Sequence, residues 1–273
     1  MLPTFVVLSD LSGAAQTALT YTSRLAALLA GRVVLLHVYQ DPLLEPESMM
    51  VAAQAVLYTK QKIRAELVAQ ARQLPVPAEV EISLDTLSAT VTDVVQRHRP
   101  LLLAIGREQP ENLLDRLLPH QAASLLRAAR YPLLLVPENR TASELPQRVV
   151  VAADDHDFQL TAPSAALLGL LRALQPTTTV VHVASGSGPS KAQTGLAAVQ
   201  RIGFGTITNN SLYEIREEAP ADGILHAATE LRAQLIVVLA RPHSVLGELF
   251  HRSVTAQVLR RSPVPVLVLP TAA

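Results

Sequence analysis

Short, uninterrupted apolar runs recur along the chain, separated by longer stretches with helical spacing. TFVVLSD (4–10), VVLLHV (33–38), LLLAIGR (101–107) and YPLLLVP (131–137) are of the first kind. GAAQTALTYTSRLAALLA (13–30) and MMVAAQAVLYTKQKIRAELVAQARQL (49–74) are of the second. Apolar runs that do not alternate with polar residues are expected where helices cover both faces of a parallel sheet. The pattern predicts strands at about 4–9, 32–38, 79–84, 101–105 and 132–136, with helices between them. Ser12 is the expected N-cap and Gly31 the expected C-cap of the first helix.

The chain then says the same thing again. TFVVLSD matches RVVVAAD (148–154), and VVLLHV matches TVVHV (179–183). LLLAIGR matches LIVVLAR (235–241), and YPLLLVP matches VPVLVLP (264–270), with Arg127 and Arg260 at equivalent places. The offset falls from about 144 to 133, so the second copy is shorter in its middle. A period this long marks a duplicated domain and not a solenoid, whose repeats run roughly 20–50 residues. The expected units are 1–140 and 146–273, joined by the polar linker ENRTASELPQ (138–147). Alternating strands and helices imply right-handed crossovers, hence two repeated, doubly wound, open parallel five-stranded α/β sheets. SGSGPSKAQTG (185–195) reads as a mobile loop.

Composition narrows the functional classes. Hydrophobic residues make up 49% of 273, enough for a large core. Basic and acidic side chains balance at 23 each, and nine aromatics are too few for a base-stacking platform, so no nucleic-acid partner is expected. There are no cysteines, which removes disulfides, thiolate catalysis and Cys-based metal sites. No apolar stretch reaches the ~18–20 residues that span a bilayer. MLPTFVVLSD lacks the basic start of a signal peptide, so a cytoplasmic protein with no membrane partner is expected.

Open parallel sheets bind ligands beyond the carboxyl ends of their strands. Asp10, Val38–Gln40 and Gly106–Gln109 take those places in the first copy. Asp154–Asp155, Val183–Ser185 and Ala240–His243 take them in the second. An aspartate after the first strand, twice over, suggests a ligand anchor; capping of the following helix accounts for it equally well. VVLSDLSGAAQTAL, LLHV and the ending RSVTAQVLRRSPVPVLVLP are similar to the universal stress protein family, and the resemblance covers both copies.

That resemblance implies a Rossmann-like, adenine nucleotide alpha hydrolase-like fold whose last strands pair, so that the two copies form an internal pseudo-dimer, with a further homodimer open. It also implies ATP binding through G-x2-G-x9-G-[ST] after the fourth strand, with the first-strand aspartate and backbone near the second strand holding adenine and ribose. Glycines there admit backbone to phosphate, and the last pair opens a helix whose free N–H groups attract anions. Here Gly106 keeps the first slot, but Gln109 takes the second and Pro119–His120 the last pair. In the second copy Ala240, His243 and Arg252 replace the glycines, Ser253 keeps the hydroxyl, and one residue is missing from the spacer.

Two readings stand. In one, both nucleotide motifs are degenerate, no cofactor is bound, and the protein is a non-enzymatic stress-response or signalling component that acts through protein partners. In the other, Arg241, His243 and Arg252, with Ser253 and Thr255 at a helix start, bind ATP, AMP or another phosphate-bearing ligand. The alternative for the arginines is solvation or pairing with Glu248.

The histidines lack HxxxH or HExxH spacing, so no metal is expected. His37 and His182 share one repeat position and are expected to do the same structural job. Asp154, Asp155, His156 and Asp157 read as a solvated acidic loop.

Overall fold

The computed structural model describes residues 2–39, 49–108, 131–138, 145–184, 190–204, 206–217, 219–241 and 253–272, with the backbone alone for 49–59. In the first half the strands are β1 (Thr4–Leu8), β2 (Arg32–Val38), β3 (Ala78–Ser83), β4 (Leu102–Arg107) and β5 (Leu133–Pro137). Between them lie α1 (Gly13–Leu28), α2 (Met49–Arg72) and α3 (Leu87–His98). The second half has β6 (Arg148–Ala152), β7 (Thr177–Ala184), β8 (Leu212–Arg216), β9 (Leu235–Ala240) and β10 (Val266–Pro270). Its helices are α4 (Ala162–Ala166), α5 (Leu168–Leu174), α6 (Ala192–Ile202), α7 (Pro220–Glu230) and α8 (Val254–Arg261).

The two halves share one ten-stranded sheet, in the order β3-β2-β1-β4-β5-β10-β9-β6-β7-β8. Every pairing is parallel except the central one, where β5 and β10 run antiparallel. Leu134 faces Leu267 at its centre, flanked by Leu135–Val266 and Leu133–Val268. Leu134 and Leu267 are also the same repeat position, since 267 − 134 = 133 is the offset of this last strand. The pairing is thus self-matching, as an isologous contact about a twofold axis must be, and it forms the expected pseudo-dimer within one chain. Both faces are buried across the join, by Val6, Leu103, Leu135, Ile236 and Val266 on one side and Phe5, Val7, Leu134, Val237 and Leu267 on the other.

Local chemistry explains several helix starts. Ser12, Thr86 and Ser253 each accept the N–H three residues on, at 3.1, 3.3 and 3.1 Å. The expected Gly31 cap of α1 is displaced: Leu29 is the C-cap, and Ala30 takes the left-handed conformation at φ 46°. Gly31 serves close approach instead, because a Cβ there would fall 2.6 Å from the Pro3 carbonyl. The expected loop 185–195 is corrected in part, at its C-terminal end; residues 185–189 lie outside the described residues. Ala192–Gly195 form the first turn of α6, and Gly195 lets that helix sit on the backbone of Asp154. Gly195 and Thr194 suggest a loop in isolation; the buried Ala192, Leu196 and Val199 hold them in a helix.

A charged network closes the outer edge of the first half. Arg97 bonds Glu81 at 2.7 Å and Asp93 at 2.8 Å, while Arg32 bonds Glu79 at 2.9 Å. His98, buried between them, receives Arg32 on Nδ1 at 3.0 Å and meets Glu81 through Nε2 at 2.5 Å. The Arg97 guanidinium, ahead of His98, holds the Glu81 carboxyl below the usual range. A depressed folded value adds stability above the unfolded pKa of about 4 and loses it as pH falls through the folded value. Glu81→Gln is therefore expected to flatten the acid limb of the stability profile, measured as urea midpoint between about pH 5 and 3.

Candidate functional site

The sheet reverses its strand order between β1 and β4 and again between β6 and β9. Open parallel sheets place ligands at such switch points, beyond the carboxyl ends of the strands. The sheet register also settles how the halves correspond there. Ala104 lies beside Val7 and Val237 beside Val151, so residues of β4 and β9 are related by 237 − 104 = 133. Gly106 therefore corresponds to Leu239, and Arg107 to Ala240. Matching LLLAIGR with LIVVLAR is one residue out of register.

A slip of one moves each strand side chain to the other face. Corrected, the slots of the second half are Leu239, Pro242 and Arg252–Ser253, with the nine-residue spacer intact. Ala240 and His243 lose their slots; His243 and Arg252 lie outside the described residues, as do Gln109, Pro119, His120 and Glu248.

In the first half, the loop after β1 is tied to itself. Asp10 Oδ1 accepts the Ser12 N–H at 3.0 Å, and Ser9 Oγ accepts that of Leu11 at 3.2 Å. Asp10 is thus a turn residue. Val38 lies opposite Ser83 at the end of β2. Gly106 is needed for packing: an added Cβ would fall 2.2 Å from the Ala14 carbonyl carbon, in the first turn of α1. A Cβ on Gly13 would fall 2.1 Å from Glu138 Oε1, so a carboxylate already faces the start of this helix. Asp10, Val38 and Gly106 belong to this half and do not reach the cavity of the other.

The second switch point is built differently. Four residues separate β1 from α1, whereas nine separate β6 from α4. The late helix start leaves room for the Leu239 side chain where the first half has none. A cavity of about 760 Å³ opens there, and it brings together Asp154, Val183, Arg241, Ser253 and Thr255. Its walls include Ala152, Phe158, Val181, His182, Ile224, Val238 and Leu239, with Lys191 and Thr271 also contributing. Phe158, Lys191 and Thr271 were not legible as site residues, because the elements bearing them meet only in the folded sheet.

Arg241 is held by Asp154 in a two-point pair, Nε to Oδ2 at 3.0 Å and Nη2 to Oδ1 at 2.8 Å. Asp154 Oδ1 also accepts the His156 N–H at 3.1 Å, the same turn that Asp10 makes. The acidic loop is therefore more than solvated. Lys191 bonds Asp155 at 3.2 Å and His156 bonds it at 2.7 Å, while Arg201 reaches Asp157 at 2.6 Å. Lys191 and Arg201 hold the Asp155 and Asp157 carboxyls below the usual range. Asp154, Asp155 and His156 carry possible ligand atoms within 4.8 Å of one another, as do Glu79, Glu81 and His98. In both groups the carboxylates already carry arginine or lysine, which disfavours a cation.

At the opposite wall, Ser253 Oγ caps α8, and Thr255 is buried. The N–H groups of Val254 and Thr255, at the first two helical positions, have no acceptor inside the helix. They offer an anion the positive end of the helix dipole. His182 bonds the Ala153 carbonyl through Nδ1 at 3.3 Å, and His37 bonds that of Ser9 at 2.7 Å. Each histidine pins the exit of the first strand to the second, one job done in both halves.

The family model described as the universal stress protein family matches residues 1–137 and 208–270. A universal stress protein from Archaeoglobus fulgidus DSM 4304 is 17% identical, covering 97% of each chain with a TM-score of 0.70. A functionally unknown protein from Pseudomonas aeruginosa PAO1 is 15% identical over 99% of this chain and 93% of its own, with a TM-score of 0.56. A universal stress protein family member from Arabidopsis thaliana, solved with AMP bound, is 18% identical over 50% of this chain and 93% of its own, with a TM-score of 0.37. No curated protein matches. Among the described residues, no helix is long and apolar enough to cross a membrane.

Proposed function

The chain belongs to the universal stress protein family, and from that premise we propose that it is a non-enzymatic tandem member whose second half binds a small anionic ligand. AMP or another phosphate-bearing molecule fits this class. The first half is its structural counterpart, and the liganded state is passed to protein partners in a cytoplasmic stress response.

The observation that carries this reading is the 760 Å³ cavity, in which Arg241 and the start of α8 meet an apolar wall. Phosphoryl transfer requires charge neutralisation and a positioned nucleophile. Among the described residues, the carboxylates lining the cavity, Asp154 and Asp155, are engaged by Arg241 and Lys191, which leaves neither poised as a base.

A second reading, in which neither half binds a ligand and only the protein's shape matters, is favoured by the first half. There Ala14 backbone packs on Gly106 and Glu138 faces the helix start. Thermal unfolding with AMP, ATP, cyclic AMP and inorganic phosphate separates the two. A ligand at one hundred times its dissociation constant stabilises the fold by about 2.7 kcal/mol. The expected result is a raised midpoint with AMP. A flat panel overturns ligand binding, and steady phosphate release from ATP overturns the non-enzymatic assignment.

A further inference from the structure

We propose that Asp154 is a built-in competitor for the ligand of the second-half cavity. It occupies Arg241 in the absence of ligand, and a molecule with one acid group on an apolar body binds by taking Arg241 from it. This rests on the ligand-binding reading above and reverses the part that the family resemblance assigns to the first-strand aspartate, which is to anchor the ligand.

The geometry supports an exchange. The Asp154 carboxylate presents two oxygens to the Arg241 fork, as a ligand carboxylate or phosphate monoester would. Both partners are partly exposed, Arg241 at 38% and Asp154 at 51%, and exposed pairs add little net stability. When Arg241 leaves, Asp154 keeps the His156 N–H and returns to water.

The charges lining the cavity define the ligand. Among the described residues, Asp154 and Asp155 balance Arg241 and Lys191. A polyphosphate meets no net positive field in such a set. Leu239 also stands in the first slot where backbone would cradle one. One acid group, by contrast, is matched by one guanidinium and the amides at the start of α8. Phe158, Val181, Ile224, Val238 and Leu239 receive the apolar remainder.

Calorimetric titration of AMP, octanoate and ATP into the full-length protein and its variants tests this. Asp154→Asn removes the competing charge and keeps an acceptor for the His156 amide. It is expected to tighten AMP and octanoate about two- to fivefold, the reverse of losing an exposed ion pair. Arg241→Ala is expected to weaken both roughly tenfold or more and to abolish the effect of Asp154→Asn in the double variant. ATP is expected to bind no more tightly than AMP. Weaker or unchanged AMP and octanoate binding in Asp154→Asn overturns the competitor role while leaving the cavity a ligand site. Tighter binding of ATP than of AMP overturns the single-acid class. No binding of any probe to the wild type or to Asp154→Asn overturns the ligand reading itself.

Discussion

Replacing Leu267 with aspartate is expected to abolish cooperative folding of the joined sheet. Leu267 is 2% exposed, faces Leu134 across the antiparallel seam, and sits where the two halves share their core. Its cluster of buried neighbours is apolar, and burying an unpaired carboxylate in such surroundings costs far more than a typical domain's 5–15 kcal/mol of stability allows. The milder Leu267→Ala is expected to cost about 2–5 kcal/mol through lost contact and a residual cavity. Leu134→Ala opens the same space from the other side, so the double variant should deviate from the sum of the two by 0.5 kcal/mol or more. Urea unfolding of the four proteins measures this. A wild-type midpoint for Leu267→Asp would show that β5 and β10 do not pair in solution.

The second large effect is expected at Arg107. This side chain, 8% exposed, leaves the first half at the end of β4 and donates to the carbonyls of Arg260 and Ser262 in the second. Those carbonyls close the C-terminal end of α8, where helix carbonyls lack internal partners and the dipole is negative. A buried guanidinium thus gains the partial charges it needs, and α8 gains a cap from outside its own half.

Arg107→Ala leaves both carbonyls without that donor, the Ser262 one buried, and is expected to cost about 3 kcal/mol, as two charge-assisted bonds at roughly 1.5 each. Arg107→Lys is expected to recover little, because a single ammonium cannot reproduce the fork that reaches two acceptors. An Arg107→Ala protein with an unchanged urea midpoint would refute the clamp. The corrected register explains why the clamp is one-sided: its counterpart in the second half is Ala240, which has nothing to donate.

Much of the architecture was legible along the chain because it depends on local and periodic chemistry. Continuous apolar runs mark strands covered on both faces. Ser12 and Ser253 mark helix starts, and the recurrence of YPLLLVP as VPVLVLP announces the second half. The matched histidines His37 and His182 were legible for the same reason, since a duplicated position tends to keep its hydrogen bond. Legibility failed where composition misleads locally, as at Ala192–Gly195, whose small residues become helix only under tertiary burial.

The linear order of residues was sufficient to determine the α/β class and the duplication. Tertiary structure alone decided the rest. Two arginines that align by eye, Arg107 and Arg241, lie one register step apart. Arg107 is the last residue of β4, whereas Arg241 lies just beyond the end of β9. One became a clamp between halves and the other the partner of Asp154, 87 residues away in the chain. Nothing in a linear pattern encodes that pairing. It exists because parallel strands bring distant carboxyl ends together at a switch point, and because a late helix start beside β9 leaves the space in which the two side chains meet.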